Sequence, residues 1–502
     1  MSFAWGLFLV YLAGTAWLGW RGYRKTSGFG SFAVGNRAMH PLVVGVTLAA
    51  SVSSAATFII NPGFVYVDGF SAFFHLTIGV GAGFMLMLTV LSFQFRRIGA
   101  ETGALTIPDW IGKRYESRGF ALFFAILNLL SFAFVVLLVG GISIVMQSLL
   151  GLSNIWALTI TLVFVTGYVF IGGTYAHVLT NMLQGSLMIG VTLLVLGTCL
   201  TIALTEPGST VERLRAIDPG LVALVNRDGA LFNDVFSIYV AGFVVGAAVV
   251  CQPHILTKAL YVKDDRDVRR YLIVFAVVFG LFQLLGAVGF FAHLVVPDGA
   301  LIDPASGVFR QDLVMTVFLK TVFPDWLFIV VSVVLLAAAM STLDGLLVSM
   351  STIAANDLVL NVLDASDGRS EDERMALAFK ASHVVLVVVA IAAFVVNLDP
   401  PRLLGIFGQA GVYGLVTAAA PPLLLGVLFR RVPLMLAWTG SVTAISLHFI
   451  LLLRGSDWVP GVPLTFANPG VTAAVATLLT IPVLLIITMV LNRPGEPVAE
   501  NG

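Results

Sequence analysis

Charged residues are scarce in this chain. Asp, Glu, Lys and Arg together make up 11% of its 502 residues, whereas about 25% is usual in soluble domains. Hydrophobic residues make up 59%, which is enough for on the order of a dozen membrane spans of about 20 residues each. This composition excludes a soluble enzyme held by a single anchor. It predicts an all-α polytopic protein that is embedded in the lipid bilayer.

A net charge and a cysteine framework are also missing. Lys plus Arg and Asp plus Glu number 27 each, so no net field favours nucleic acid as a partner. The only cysteines, Cys199 and Cys251, have no spacing typical of a disulfide framework or a metal site. Both lie in apolar segments, so we expect buried, inert thiols.

Windows of about 19 residues predict thirteen membrane spans, which we number in chain order. The first apolar segment lacks the basic start of a secretory signal, so we interpret it as span 1. The predicted spans cover residues 3–20, 42–66, 70–95, 119–148, 154–173, 177–204, 232–256, 271–297, 326–357, 377–397, 403–428, 433–453 and 470–491.

The distribution of basic residues gives this arrangement an orientation. Twenty of the 27 Lys and Arg residues fall in loops on one side, and Lys258 is counted among them. Because cytoplasmic loops carry the excess of basic residues, that side is predicted to face the cytoplasm. The N-terminus is then outside and the C-terminus inside the cell membrane.

Spans 2 and 7 have sequences that weaken a membrane helix. Span 2 contains Ser51, Ser53, Ser54 and Thr57 ahead of Pro62-Gly63, and span 7 ends in Cys251-Gln-Pro-His254. Transporters unwind helices at such places to expose backbone groups, although small residues also allow close helix packing. The two interrupted spans lie five spans apart in the chain, which predicts an inverted repeat of five plus five helices. The predicted units are 1–40 (span 1 and an inside loop), 41–206 and 207–429 (the repeats), and 430–502 (two spans and a tail).

Spans 9 and 11 contain the other unusual patterns. Ala338, Ser341 and Thr342 lie at i, i+3 and i+4 of span 9, so a carbonyl and two hydroxyls share one helix face. Such oxygens suit a hard cation such as Na⁺, although Ser and Thr in membrane helices also bond to their own turn. Gly408 and Gly411 belong to a glycine series in span 11. They predict either a bending gate or a tight helix contact.

Several segments, in this order, resemble the sodium:solute symporter family. They cover nearly the whole chain, and they are closest in appearance to its bacterial sodium/pantothenate branch, followed by the sodium/proline branch. The segments are Arg37-Ala-Met-His-Pro41, Ala50-Ser-Val-Ser-Ser54, Asn61-Pro-Gly63, Gly172-Gly-Thr-Tyr-Ala-His-Val-Leu-Thr-Asn-Met-Leu-Gln184, Gln252-Pro-His-Ile255 and Ala338-Ala-Met-Ser-Thr342.

The resemblance implies a leucine-transporter-type fold and a sodium site. Its ligands would be the main-chain oxygens of Ala50, Ser53 and Ala338 with the hydroxyl oxygens of Ser341 and Thr342. It also implies a solute pocket between spans 2, 3, 7 and 11. The candidate solute-binding residues are Ser54, Thr57, Phe73, Phe74, His75, Gln252, Gln409 and Tyr413.

One departure from the family concerns a second ion. Where many members have Thr-Asp in span 6, this chain has Thr180-Asn181, and it has Asp344 one turn beyond Ser341. A carboxylate at bilayer depth costs at least about 2.5–3.5 kcal/mol. We therefore expect Asn181 and Asp344 to serve a second cation or a proton. The alternative is a structural carboxylate bonded to span 6 through Asn181.

These observations predict a sodium-coupled symporter that imports a small organic solute by alternating access. A carboxylate such as pantothenate or a short monocarboxylate is the preferred solute, and a proline-type amino acid is the alternative. A channel or a solute sensor without coupled transport is the alternative from another class. No enzymatic activity is expected, and no cofactor is expected apart from Na⁺ as coupling ion.

Overall fold

The computed structural model describes residues 2–205, 207–229, 231–302, 307–360, 370–400, 404–458 and 466–492. The regular structure in these ranges is helical, and an isolated bridge joins Ile302 to Phe309. Cys199 and Cys251 are buried free thiols, as expected. The predicted C-terminal tail from residue 494 onward lies outside the described ranges.

The number of membrane spans agrees with the prediction. Ten described helices are long and apolar enough to cross a bilayer, and two bent helix pairs add two more spans. One of the ten, Asn154–Thr205, has 52 residues and a non-helical backbone at Gly173 (φ 50°, ψ −136°). Positive φ of this kind is readily adopted only by glycine, so spans 5 and 6 meet there. The described residues thus provide thirteen spans.

Spans 2 and 7 are the bent pairs. Span 2 consists of Pro41–Val52 followed by Ala56–Asp68, with an angle of 58° between them. Span 7 consists of Phe236–Val249 followed by Pro253–Tyr261, with an angle of 66°. The two breaks lie five spans apart, as the predicted inverted repeat requires.

The remaining spans are continuous or contain short irregular turns. Irregular turns occur at Phe74–Gly79, Asn128–Ser131, Leu284–Ala287 and Ala354–Val359. The remaining spans are, in chain order, Ser2–Tyr23, Phe70–Thr102, Arg118–Leu150, Asp265–Val295, Asp325–Val359, Glu371–Leu398, Leu404–Leu428, Leu434–Trp458 and Pro469–Leu491.

Short helices outside the spans cover the two ends of the bundle. Phe29–Val34 and Ile107–Arg114 follow spans 1 and 3, whereas Thr210–Ile217, Pro219–Val222, Gln311–Leu313 and Val314–Val322 follow spans 6 and 8. Thr106 caps Ile107–Arg114 by accepting the N–H of Asp109, and its hydroxyl also contacts Asp357 at 2.6 Å. This contact joins the helix to the end of span 9.

The centre of the bundle is formed by spans 2, 6, 7 and 9. Span 9 is largely enclosed, because nearly every residue from Val331 to Ile353 is buried. Span 6 packs against spans 2 and 9, and the second half of span 7 packs against both as well. Polar side chains of these four spans therefore meet in the protein interior rather than in lipid.

Candidate ion and solute site

The break in span 2 exposes backbone oxygens to span 9. The first helix ends at Val52, and the next residue, Ser53, has a φ of −85° and a ψ of 76°, outside the helical range. Ser341 Oγ then lies 2.8 Å from the carbonyl of Ala50 and 2.7 Å from that of Ala338. Thr342 Oγ1 lies 2.9 Å from the carbonyl of Ser51. Two hydroxyls of span 9 thus contact three carbonyls, two in span 2 and one in span 9, and these five oxygens form one group.

This group contains four of the five predicted sodium ligands, namely Ala50, Ala338, Ser341 and Thr342. The fifth, Ser53, is fully buried, and its hydroxyl has no hydrogen-bond partner among the described residues. The Thr342 hydroxyl contacts the carbonyl of Ser51 rather than that of Ser53. All of these oxygens are uncharged, which is the type of donor set that suits a hard cation in place of its hydration shell.

Ser51 connects the sodium-site oxygens to a second polar group. Its hydroxyl lies 2.8 Å from Asn181 Nδ2, 2.9 Å from Lys258 Nζ and 3.4 Å from the carbonyl of Ser341. A hydroxyl accepts two hydrogen bonds and donates one. Ser51 therefore accepts from Asn181 and Lys258 and donates to Ser341, which uses its full capacity. Sequence reasoning noted Ser51 within the serine run but gave it no role.

The structure corrects the predicted position of Lys258, which the sequence analysis placed in a cytoplasmic loop. The structure places it in the second half of span 7, with no exposed surface. The break in span 7 is the reason, because the chain continues as Pro253–Tyr261 inside the bundle after the bend. Lys258 Nζ lies 2.8 Å from His177 Nε2, 2.9 Å from Ser51 Oγ and 3.4 Å from the carbonyl of Thr47.

Asp344 is bonded to spans 5 and 6. Its Oδ1 lies 2.9 Å from His177 Nδ1, and its Oδ2 lies 2.9 Å from the Tyr168 hydroxyl and 3.2 Å from that of Thr180. Because an ammonium only donates, His177 Nε2 accepts from Lys258. The proton of the neutral ring is then on Nδ1, which donates to Asp344. Asp344 and Lys258 are thus connected through one imidazole.

Asn181 lies beside this connection. Its Nδ2 is 2.8 Å from both Ser51 Oγ and the carbonyl of Ser341. The carbonyl can only accept, so the nitrogen must face it. Asn181 Oδ1 is buried without a hydrogen-bond partner among the described residues. The contacts of Asp344 with span 6 thus run through His177 and Thr180, rather than through Asn181 as the structural alternative assumed.

Spans 3 and 7 are in close backbone contact next to the predicted solute pocket. A Cβ atom on Gly83 would collide with the carbonyl oxygen of Phe243, and one on Gly246 with that of Val80. His75 faces Gly242, and its Nδ1 lies 2.7 Å from the carbonyl of Ser237. Because this carbonyl accepts, Nδ1 carries a proton, and the neutral ring offers Nε2 as an acceptor.

The structure places the other predicted solute residues in three environments. Ser54 and Thr57 are buried just after the break in span 2, and Gln252 is buried at the break in span 7, where its Oε1 has no partner among the described residues. Phe73 and Phe74 are half-buried and pack with Phe290 and Tyr239. In span 11, Gln409 and Tyr413 are half-buried, and Tyr413 lies next to Gly470, as Val245 of span 7 does.

The predicted gate glycines lie at a tight helix contact. A Cβ atom on Gly408 would be 2.6 Å from Leu137 Cδ1, and one on Gly411 would be 2.7 Å from the Cβ of Ala133. Span 11 continues without a break from Leu404 to Leu428. Both glycines therefore allow span 11 to pack against span 4. Gly405, one turn earlier, has nothing within 4 Å.

Comparison with known proteins gives one family and several relatives. The sodium:solute symporter family model matches residues 32–443. A sodium/pantothenate symporter of Haemophilus influenzae is 28% identical over 457 residues, which cover 89% of this chain and 90% of that protein. A sodium/proline symporter of Escherichia coli is 26% identical over 439 residues, covering 84% and 82% of the two chains.

Solved structures show the same fold. A Na⁺-coupled sialic acid symporter in a substrate-bound, outward-open state matches with a TM-score of 0.72 and 16% identity, over 98% of this chain and 99% of that one. Mhp1, a nucleobase-cation-symport-1 family transporter in a closed conformation, matches with a TM-score of 0.54 and 14% identity, over 91% and 94%. These likenesses confirm the predicted leucine-transporter-type fold.

Proposed function

The chain belongs to the sodium:solute symporter family, and on that premise we propose that it imports a small organic carboxylate together with Na⁺. Sodium-coupled symport of a small solute by a multi-pass membrane protein is the function of this chain. The identity of the solute, the ligands of the ion and the orientation in the cell membrane are the further parts of the proposal.

One contact carries the proposed ion site. Ser341 Oγ connects the carbonyl of Ala50, at the break in span 2, with the carbonyl of Ala338 in span 9. We propose that Na⁺ binds among these oxygens together with Thr342 and the carbonyl of Ser53. Bound there, the ion holds the two helices together at the point where span 2 bends. Ion binding thereby biases the same backbone that faces the solute, which is what coupling requires.

The solute pocket is proposed between the breaks of spans 2 and 7 and the adjoining parts of spans 3 and 11. Lys258 does not serve the solute, because its three donors already face His177, Ser51 and Thr47. A carboxylate would be held at the N-terminal end of the half-helix Ala56–Asp68 and by hydroxyls such as those of Ser54 and Thr57. His75 Nε2 would accept a hydrogen bond from a solute hydroxyl or N–H group.

Pantothenate fits this description well. It has a carboxylate, two hydroxyls and an amide N–H, so it supplies both an anion for the helix N-terminus and donors for His75. The likeness to the sodium/pantothenate symporter supports this choice. A short monocarboxylate would contact only the part of the pocket that holds the carboxylate. Proline is the second candidate, because its ammonium group would also donate to His75 and a proline symporter is among the relatives.

The proposed orientation follows the distribution of basic residues. The N-terminus is outside and the C-terminus inside, with the repeats at 41–206 and 207–429. Moving Lys258 from a loop into span 7 removes one of twenty basic residues from the cytoplasmic side and leaves the bias in place. A cysteine introduced at Ser2 should react with an impermeant thiol reagent from outside intact cells. Reaction only after lysis would reverse the orientation.

Uptake into vesicles of the purified protein tests the solute. Labelled pantothenate, a short monocarboxylate, proline and a sugar are offered with an inward Na⁺ gradient or with K⁺ replacing Na⁺. We expect accumulation of pantothenate or the monocarboxylate above the external concentration, which stops when an ionophore collapses the Na⁺ gradient. Protein-free vesicles are the control.

The other outcomes of this uptake experiment would contradict parts of the proposed function. Accumulation of proline alone would overturn the carboxylate proposal. Downhill flux that does not depend on Na⁺ would favour a channel, and solute binding without net uptake would favour a sensor. Either of the last two results would contradict coupled symport in this chain.

A further inference from the structure

Lys258 is a fully buried cation that has no role in the binding of Na⁺ or solute proposed above. It has no exposed surface and lies within the broken span 7. Its ammonium group contacts an imidazole nitrogen, a hydroxyl and a carbonyl, at 2.8, 2.9 and 3.4 Å. An ammonium has three hydrogens to donate, so this surrounding satisfies it completely. A charged side chain at bilayer depth is costly, and it is retained chiefly where it serves a function.

The charge of Lys258 is balanced by Asp344. The two side chains are joined by His177, which accepts from Lys258 at Nε2 and donates to Asp344 at Nδ1. Tyr168 and Thr180 also contact the carboxylate. Every oxygen of Asp344 is therefore engaged by a protein donor. This leaves the carboxylate committed to the protein's own cation rather than open to an ion from solution.

The ammonium also lies next to the proposed sodium site. Ser51 accepts from Lys258 through its hydroxyl, while its carbonyl accepts from the Thr342 hydroxyl. Asn181 contacts the same Ser51 hydroxyl and the carbonyl of Ser341. Asn181 and Asp344 are the residues expected from the sequence to serve a second cation. In the structure, the ammonium of Lys258 donates to the Ser51 hydroxyl. This hydroxyl joins the sodium-site oxygens to the polar group around Asp344.

We propose that the ammonium of Lys258 is a tethered cation that takes the place of a second coupling ion, so that the chain moves one Na⁺ per solute. This inference rests on the proposed Na⁺-coupled function and specifies its stoichiometry. A further free cation near Asn181 and Asp344 would be repelled by the ammonium and would compete with His177, Tyr168 and Thr180 for the carboxylate oxygens. Asp344 has the role of compensating Lys258.

The test removes each charge separately and then both together. Lys258→Met keeps an unbranched side chain of similar length and leaves the Asp344 charge uncompensated. We expect this variant to recruit a second Na⁺, so that the Hill coefficient for Na⁺ rises from about one to about two. Lys258→Met combined with Asp344→Asn removes both charges, and its Na⁺ dependence should return to one ion.

Sodium binding to the purified protein gives a readout that does not require the right solute. Calorimetric titration should show one Na⁺ per chain in the parental protein and in the double variant, and two in Lys258→Met. Lys263→Met is the matched control, because Lys263 is an exposed lysine five residues later. It should bind one ion, as the parental protein does.

Every result of this series decides the inference. If the parental protein binds two Na⁺, or if Lys258→Met folds and still binds one, Lys258 does not replace an ion and the inference is wrong. If either single variant fails to fold, recovery of folded yield in the double variant supports the paired charges, and no recovery overturns them. Absence of Na⁺-driven uptake of any solute by the parental protein would instead contradict the proposed function. A calorimetric count of one ion would remain valid in that case.

Discussion

Replacing the two span 9 hydroxyls separates an ion-binding role from an ordinary structural one. Ser341→Ala removes contacts to the carbonyls of Ala50 and Ala338, and Thr342→Val removes the contact to Ser51 with little change in shape. As ordinary hydrogen bonds these hydroxyls contribute about 0.5–1.5 kcal/mol each to folding. Such a loss lowers thermal stability equally with and without Na⁺.

As Na⁺ ligands, the same hydroxyls supply two of the five proposed oxygens. If each contributes about 1.4 kcal/mol to ion binding, its loss raises the Na⁺ concentration for half-maximal uptake about tenfold. The double variant should therefore need on the order of a hundredfold more Na⁺. It should also lose most of the increase in unfolding temperature that Na⁺ gives the parental protein.

Thr342→Ser is the matched control for Thr342→Val, because it keeps the hydroxyl and removes only a methyl group. It should retain a Na⁺ dependence close to that of the parental protein. The assays are uptake by vesicles over a series of Na⁺ concentrations and thermal unfolding in detergent with and without Na⁺. A double variant that folds normally and keeps the parental Na⁺ dependence in both assays would refute the proposed site.

Two further predictions concern span 11 and the solute. Gly408→Ala and Gly411→Ala should each slow uptake while leaving Na⁺ binding intact, because the added methyl group meets span 4. Gly405→Ala is the control and should have no effect. Parental uptake rates in the first two variants would exclude a role in gating. His75→Asn keeps a donor near the Ser237 carbonyl but removes the Nε2 acceptor. It should raise the KM for the solute severalfold with normal folding, and an unchanged KM would remove His75 from the pocket.

The arrangement of spans was predictable because it depends on local composition. Apolar length identified the spans closely, as span 11 was predicted at 403–428 and is found at Leu404–Leu428. The breaks were predictable because runs of small residues and a Gln-Pro pair weaken helices at fixed positions. The sequence could not give the direction of the bends, and the bends decide which backbone oxygens face span 9.

The polar group around Lys258 was not predictable for a related reason. Hydropathy ends span 7 near residue 256, so a lysine two residues later is assigned to a loop. Only the bend keeps Pro253–Tyr261 inside the bundle. His177 was visible in the sequence without a partner, since its contacts lie 81 and 167 residues away. The unexplained charge of Asp344 was the one signal that a buried cation was required.

The glycine contacts between spans 3 and 7 determine which parts of the molecule move together. Two helices whose backbones touch at Gly83 and Gly246 cannot slide past each other, so the first half of span 7 must travel with span 3. The second half is attached to spans 2 and 6 through Lys258. Span 3 also meets this second half, at Gly99 and Leu260, so it contacts span 7 on both sides of the break at Gln252. A change in the angle of this break would therefore have to move span 3 together with span 7.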